Sequence, residues 1–108
     1  MKALAFLSLL ALSHSAAEAA KRETIAVTVT ENGFEPSTIK VKPGTEVTLD
    51  VTRKTDITCA KEIVVSDKKI EKKLPLNKAV KVPLGKLAKG EVRFACGMKM
   101  IEGRVLAE

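Results

Sequence analysis

At 108 residues the chain has room for one domain. It carries 19 basic and 13 acidic residues, for a formal net charge of +6, but only three aromatic residues and one histidine. Phe6, Phe34 and Phe94 are too few and too scattered to form a stacking platform, so nucleic acid is not an expected partner despite the charge.

In chain order, the first segment does not read as part of a folded domain. Lys2 supplies a positive start, residues 3–12 are almost unbroken apolar, and residues 13–19 are small and polar, ending in Ala17-Glu18-Ala19. This is the three-part anatomy of a secretory signal peptide, and the apolar run is too short to span a bilayer stably. The expected division is a signal peptide at 1–19, cleaved near Ala19 or Ala20, and one exported domain at 20–108, periplasmic or otherwise extracytoplasmic. No later segment reads as a membrane span, so no stable membrane insertion is expected after cleavage. His14 leaves with the signal segment, and the remaining chain has no histidine, tyrosine or tryptophan. Lys2 and Glu18 leave together, which keeps the formal charge at +6. The lysines form either a plain solvated surface or a docking face for an acidic partner or anionic lipid.

The exported part alternates throughout. Ile25, Val27 and Val29 interleave with Ala26, Thr28 and Thr30, the pattern of a half-buried strand. Asn32-Gly33 marks a turn. Ile39 and Val41 start a second strand, stopped at Pro43-Gly44, where proline presets φ and glycine accepts a positive φ. Val47, Leu49 and Val51 make a third. Residues 63–65 form a short strand that begins near Cys59. Residues 70–76 are less regular, and Pro75 places them at an edge or in a loop. Val80 and Val82 alternate up to Pro83, and residues 84–89 have room for one helical turn. Lys89-Gly90 turns the chain into residues 91–96, with Val92, Phe94 and Cys96 on one face, and Gly103 precedes a last strand at 104–107. Seven to eight short, mostly antiparallel strands separated by turns predict an all-β Greek-key sandwich or barrel.

The chemistry concentrates in sulfur. Cys96-Gly97-Met98-Lys99-Met100 holds three of the four sulfur atoms of the exported chain, and the fourth, Cys59, lies upstream at a distance that neighbouring strands of a Greek key can bridge. Gly97 offers the freedom to curl that segment so its side chains converge. Thiolate and thioether donors select Cu(I), whereas zinc prefers imidazole, carboxylate or more thiolates, and a blue-copper site needs two imidazoles. Three duller readings compete. Two cysteines in an exported domain form a plain disulfide, a methionine pair fills a core, and Glu62, three residues after Cys59, is a solvated strand carboxylate rather than an oxygen donor to the site. Against the second, Lys99 stands awkwardly between two buried methionines. Enzymatic chemistry is not expected, since no histidine base remains.

A family resemblance follows from these residues. Glu31-Asn32-Gly33-Phe34-Glu35-Pro36, Ile39-Lys40-Val41-Lys42-Pro43-Gly44 and Val47-Thr48-Leu49 resemble the opening of cupredoxin-like domains, and Phe94-Ala95-Cys96-Gly97-Met98-Lys99-Met100 with Gly103 and Val105 resembles their metal-binding end. With Cys59-Ala60-Lys61-Glu62, the ending is similar to the histidine-free cupredoxin domains of bacterial copper-resistance proteins. The resemblance implies that Cys59 stands where ordinary cupredoxins place their first histidine, that Cys96 is the cysteine ligand, and that Met98 and Met100 occupy the loop of the second histidine and axial methionine. It further implies one or two Cu(I) ions, the cysteines forming the tighter site and the methionines the weaker, with Glu62 at a matching acidic position. The function it implies is buffering of copper or its delivery to a copper exporter or another copper carrier. The domain is expected to be a monomer. An electron-transfer cupredoxin and a metal-free, disulfide-stapled adaptor are the alternatives.

Overall fold

The alternation beginning at Ile25 becomes β1 (Arg22–Thr30), with Val27 and Val29 buried and Thr28 and Thr30 half-covered. A computed structural model describes residues 21–108; the expected signal segment, its cleavage position and His14 lie outside the described residues. Eight further strands follow: β2 (Gly33–Glu35), β3 (Thr38–Val41), β4 (Glu46–Arg53), β5 (Glu62–Val65), β6 (Ile70–Lys73), β7 (Ala79–Lys86), β8 (Gly90–Cys96) and β9 (Glu102–Ala107). One 3₁₀ turn at Ser66–Lys68 joins β5 to β6.

The strands form a four-stranded sheet in the order β2-β1-β4-β7 and a five-stranded sheet in the order β3-β9-β8-β5-β6. The expected all-β sandwich therefore holds, with nine strands among the described residues instead of seven or eight. The extra one is β2, which pairs back on β1 directly after the Asn32-Gly33 turn. Most pairings are antiparallel, but β1 runs parallel to β4 and β3 parallel to β9. Such partners need a crossover, and the chain supplies it by passing between the two sheets.

The helical turn expected at residues 84–89 is not formed. Instead β7 continues through Pro83 to Lys86. It lies at the edge of its sheet, where a proline without an N–H is tolerated. Leu84 bulges out of register, since Val47 pairs with Gly85 and Thr48 with Pro83, and Gly85 takes φ 80°. The bulge buries Leu84, and the chain beyond it buries Leu87. At an edge of the other sheet, β6 ends at Lys73, before Pro75, as the irregular pattern there led one to expect.

Val27, Val29, Leu49, Val51 and Val82 from one sheet pack with Ile39, Ile63, Val65, Phe94 and Val105 from the other. Phe34 meets Phe94 edge to face, with ring centroids 5.0 Å apart, a geometry worth about 0.5–1.5 kcal/mol beyond the area buried. Gly103 lies directly beneath the Phe94 ring. A Cβ there would overlap the ring and stand 3.1 Å from the Ser37 carbonyl oxygen. That oxygen already accepts the Arg104 N–H at 2.8 Å, so the backbone cannot yield freely. Gly103→Ala is therefore expected to destabilise the fold by about 1–3 kcal/mol through overpacking. Urea unfolding followed by circular dichroism measures it, and a variant as stable as the parent refutes the contact.

Candidate metal centre

Cys96 ends β8 on the face of Phe94 and is fully buried. Its strand lies next to β5, where Ile63 pairs with Cys96. Cys59 arrives from the other side, on the loop of residues 54–61 that joins β4 to β5. That loop is shaped by its own hydroxyls, as Thr55 Oγ1 accepts the Ile57 N–H at 2.9 Å and Thr58 Oγ1 accepts the Ala60 N–H at 3.0 Å. Ala60 is buried and anchors the loop, while Cys59 is half-buried against the same core. The result is a thiol pair with Sγ atoms 3.0 Å apart, across 37 residues of chain. Topology closes a gap that the sequence only permitted.

The segment after Cys96 folds over its sulfur. Lys99 N–H donates to the Cys96 carbonyl at 2.8 Å, and Met100 N–H donates to Cys96 Sγ at 3.2 Å. Met98 and Met100 are 75% and 70% exposed, which rules out core filling. Gly97 does not supply the curl expected of it. The left-handed residue of this turn is Lys99, at φ 59°. What Gly97 supplies is room, because the Glu62 carboxylate rests against its Cα, where a Cβ would collide with the oxygen. Glu62 is half-buried at the head of β5 and thus borders the methionine loop. No three histidine, cysteine, aspartate or glutamate side chains gather as a metal site among the described residues. The remaining soft donors on this loop are the thioether sulfurs of Met98 and Met100.

The two thiols differ electrically. Cys59 is raised above the ordinary thiol range by its hydrogen bond with Cys96, then by burial and by the charge on Cys96. Burial pushes Cys96 up as well. The Cys59 thiol and the backbone N–H groups of Ile101, Met100 and Met98 outweigh it, and Cys96 titrates lower than an ordinary thiol. The opposed directions favour the thiolate on Cys96. The backbone donors that produce this bias carry no signal in residue identity, so sequence reading missed them.

A soft pair of thiols beside two exposed thioethers, with no imidazole among the described residues, fits Cu(I) better than Cu(II) or Zn(II). Comparison with known proteins adds the following. The family model described as a cupredoxin-like domain matches residues 2–107. The metal binding domain of the Cu(I) exporting P-type ATPase CopA from Streptococcus pneumoniae D39, solved with Cu(I), is similar at a TM-score of 0.73 and 24% identity, over 81% of this chain and 86% of that one. A copper binding protein solved by NMR in its apo form is similar at a TM-score of 0.72 and 30% identity, over 81% and 88%. A purple cupredoxin from Nitrosopumilus maritimus aligns at a TM-score of 0.51 and 16% identity, over 78% and 99%. The curated protein sequences gave no match.

Proposed function

Because the chain belongs to the cupredoxin-like family, we propose that it is an exported, monomeric Cu(I) carrier of the histidine-free kind, which buffers copper or hands it to an exporter or another carrier. In this reading Cys59 and Cys96 hold the tighter ion. Met98 and Met100 form a weaker, exposed site at which a second ion enters or leaves, and Glu62 borders it as an oxygen donor. The observation that carries the reading is the 3.0 Å thiol pair with an exposed methionine loop folded over one of its sulfurs. The similarity to a copper binding protein at 30% identity and to the metal binding domain of a Cu(I) exporting ATPase supports it. The role is carriage rather than catalysis, since residues 21–108 contain no histidine base. The same absence leaves Cu(II) without its usual nitrogen donors, which disfavours an electron-transfer role.

The thiol distance also suits a disulfide-stapled adaptor, and one experiment separates the two. Reduced protein, kept anaerobic, competes for Cu(I) against a chromogenic chelator over a pH series. The expected affinity is micromolar or tighter, and it weakens as pH falls because protons compete for the sulfur. Between the lowered Cys96 and the raised Cys59, each copper displaces one proton, so affinity changes about tenfold per pH unit, steepening toward a hundredfold below both. No competition at any pH defeats the carrier reading, and a pH-independent affinity defeats the thiolate site.

A further inference from the structure

Val47, Leu49 and Val51 of β4 point into the core, and the next inward position is Arg53, only 7% exposed. A guanidinium at a core position needs a reason, since apolar replacements of buried charged groups are often as stable or more so. Its hydrogen bonds supply one. Nε donates to the Leu74 carbonyl at 2.7 Å, and Nη1 donates to the Thr55 carbonyl at 2.8 Å and to Asp56 Oδ1 at 2.9 Å. Thr55 and Asp56 open the loop that carries Cys59. The loop closes on the same anchor, because the Leu74 N–H donates to the Lys61 carbonyl at 2.9 Å. One buried residue, Leu74, thus holds both ends of the Cys59 loop, the entrance through Arg53 on its carbonyl and the exit directly through its N–H. The loop's outer part, where Ile57 is 72% exposed, is shaped by the local Thr55 and Thr58 hydroxyl bonds, which do not tie it to the rest of the fold. The ion pair itself adds little, as the Asp56 side chain is 68% exposed. The fork onto two backbone carbonyls is what orders the chain.

We infer that Arg53 is a positioning residue that holds Cys59 opposite Cys96. This rests on reading the two thiols as the working pair, but its test needs no copper. Metal-free protein is equilibrated with glutathione: the two cysteine thiols and one glutathione disulfide give the internal disulfide and two glutathione thiols. The equilibrium constant reports how closely the two sulfurs are held. Arg53→Met is expected to lower it about tenfold or more, the worth of one buried charge-assisted hydrogen bond. Arg53→Lys keeps the charge but cannot span both carbonyls, and should lower it roughly threefold or more, carrying the test if Arg53→Met does not fold. Val82→Ala, a core change in β7, is the control for stability alone. It lowers the unfolding midpoint and leaves the constant unchanged. An Arg53 variant that moves the constant no further than Val82→Ala overturns the inference. Failure of the copper titration with an Arg53 effect intact would refute the carrier role and leave the positioning role standing.

Discussion

Cys96→Ser and Cys59→Ser are each expected to weaken Cu(I) binding on the order of a thousandfold, beyond the roughly 10–100-fold that partners outside the ligand shell cost. A hydroxyl at neutral pH offers no thiolate and is a hard donor, so either change removes one of the two charged soft ligands of the proposed tighter site. The two variants differ in what else they disturb. Cys96 is fully buried and its sulfur receives the Met100 N–H, so serine there places a polar group in the core. Cys59 is half-buried on a loop, and its replacement should leave the reduced protein within about 1 kcal/mol of parental stability. Cys59→Ser therefore isolates the ligand effect. It also discriminates against the stapled adaptor, which predicts about 2–4 kcal/mol of lost stability under oxidising conditions and no change toward copper. Anaerobic chelator competition on both variants decides it. Parental affinity in either one removes that cysteine from the site.

The arrangement these variants probe was only half legible in the residues. Period-two alternation located the inward faces of β1 and β4 correctly, because Val27, Val29, Val47, Leu49 and Val51 all meet the core. Alternation says nothing about partner or direction, however, and the parallel β1–β4 and β3–β9 pairings were not readable from it. Pro83 hid the continuation of β7, since a proline that ends most strands is harmless on an edge with a bulge beside it. At the site, residue types pointed to a soft metal, but the meeting of Cys59 and Cys96 depends on β5 lying beside β8. Gly97 drew attention for flexibility and proved to matter for space, with the strained φ falling on Lys99 instead. Arg53 escaped notice because a charged residue at the end of a strand ordinarily points to water. Its role comes from carbonyls contributed by Thr55 and by Leu74, the latter 21 residues away.

The methionine pair should separate the two ions. Met98→Leu/Met100→Leu exchanges each thioether for a side chain of similar volume with no lone pair, at positions 75% and 70% exposed. Changes at such exposed sites usually stay within about 0.5 kcal/mol, so the fold and its unfolding midpoint should be untouched. The Cys96 sulfur keeps its Met100 N–H bond, because that donor is backbone and survives the substitution. The tighter ion should accordingly remain, with affinity altered less than about tenfold, since both thiolates still hold it. The second ion should vanish. Native mass spectrometry under saturating Cu(I) is expected to move from two bound ions in the parent to one in the double variant. Retention of both ions would assign the weaker site to other residues, and loss of both would mean that thioether sulfur belongs to the tighter site itself. The exposure that makes these methionines poor packing residues is also what would let a partner reach the metal. Under the proposed carrier role, cargo must be released, and a weak neutral donor at the surface, backed by a thiolate beneath, would give the outer copper a path to a partner while the tighter site stays intact.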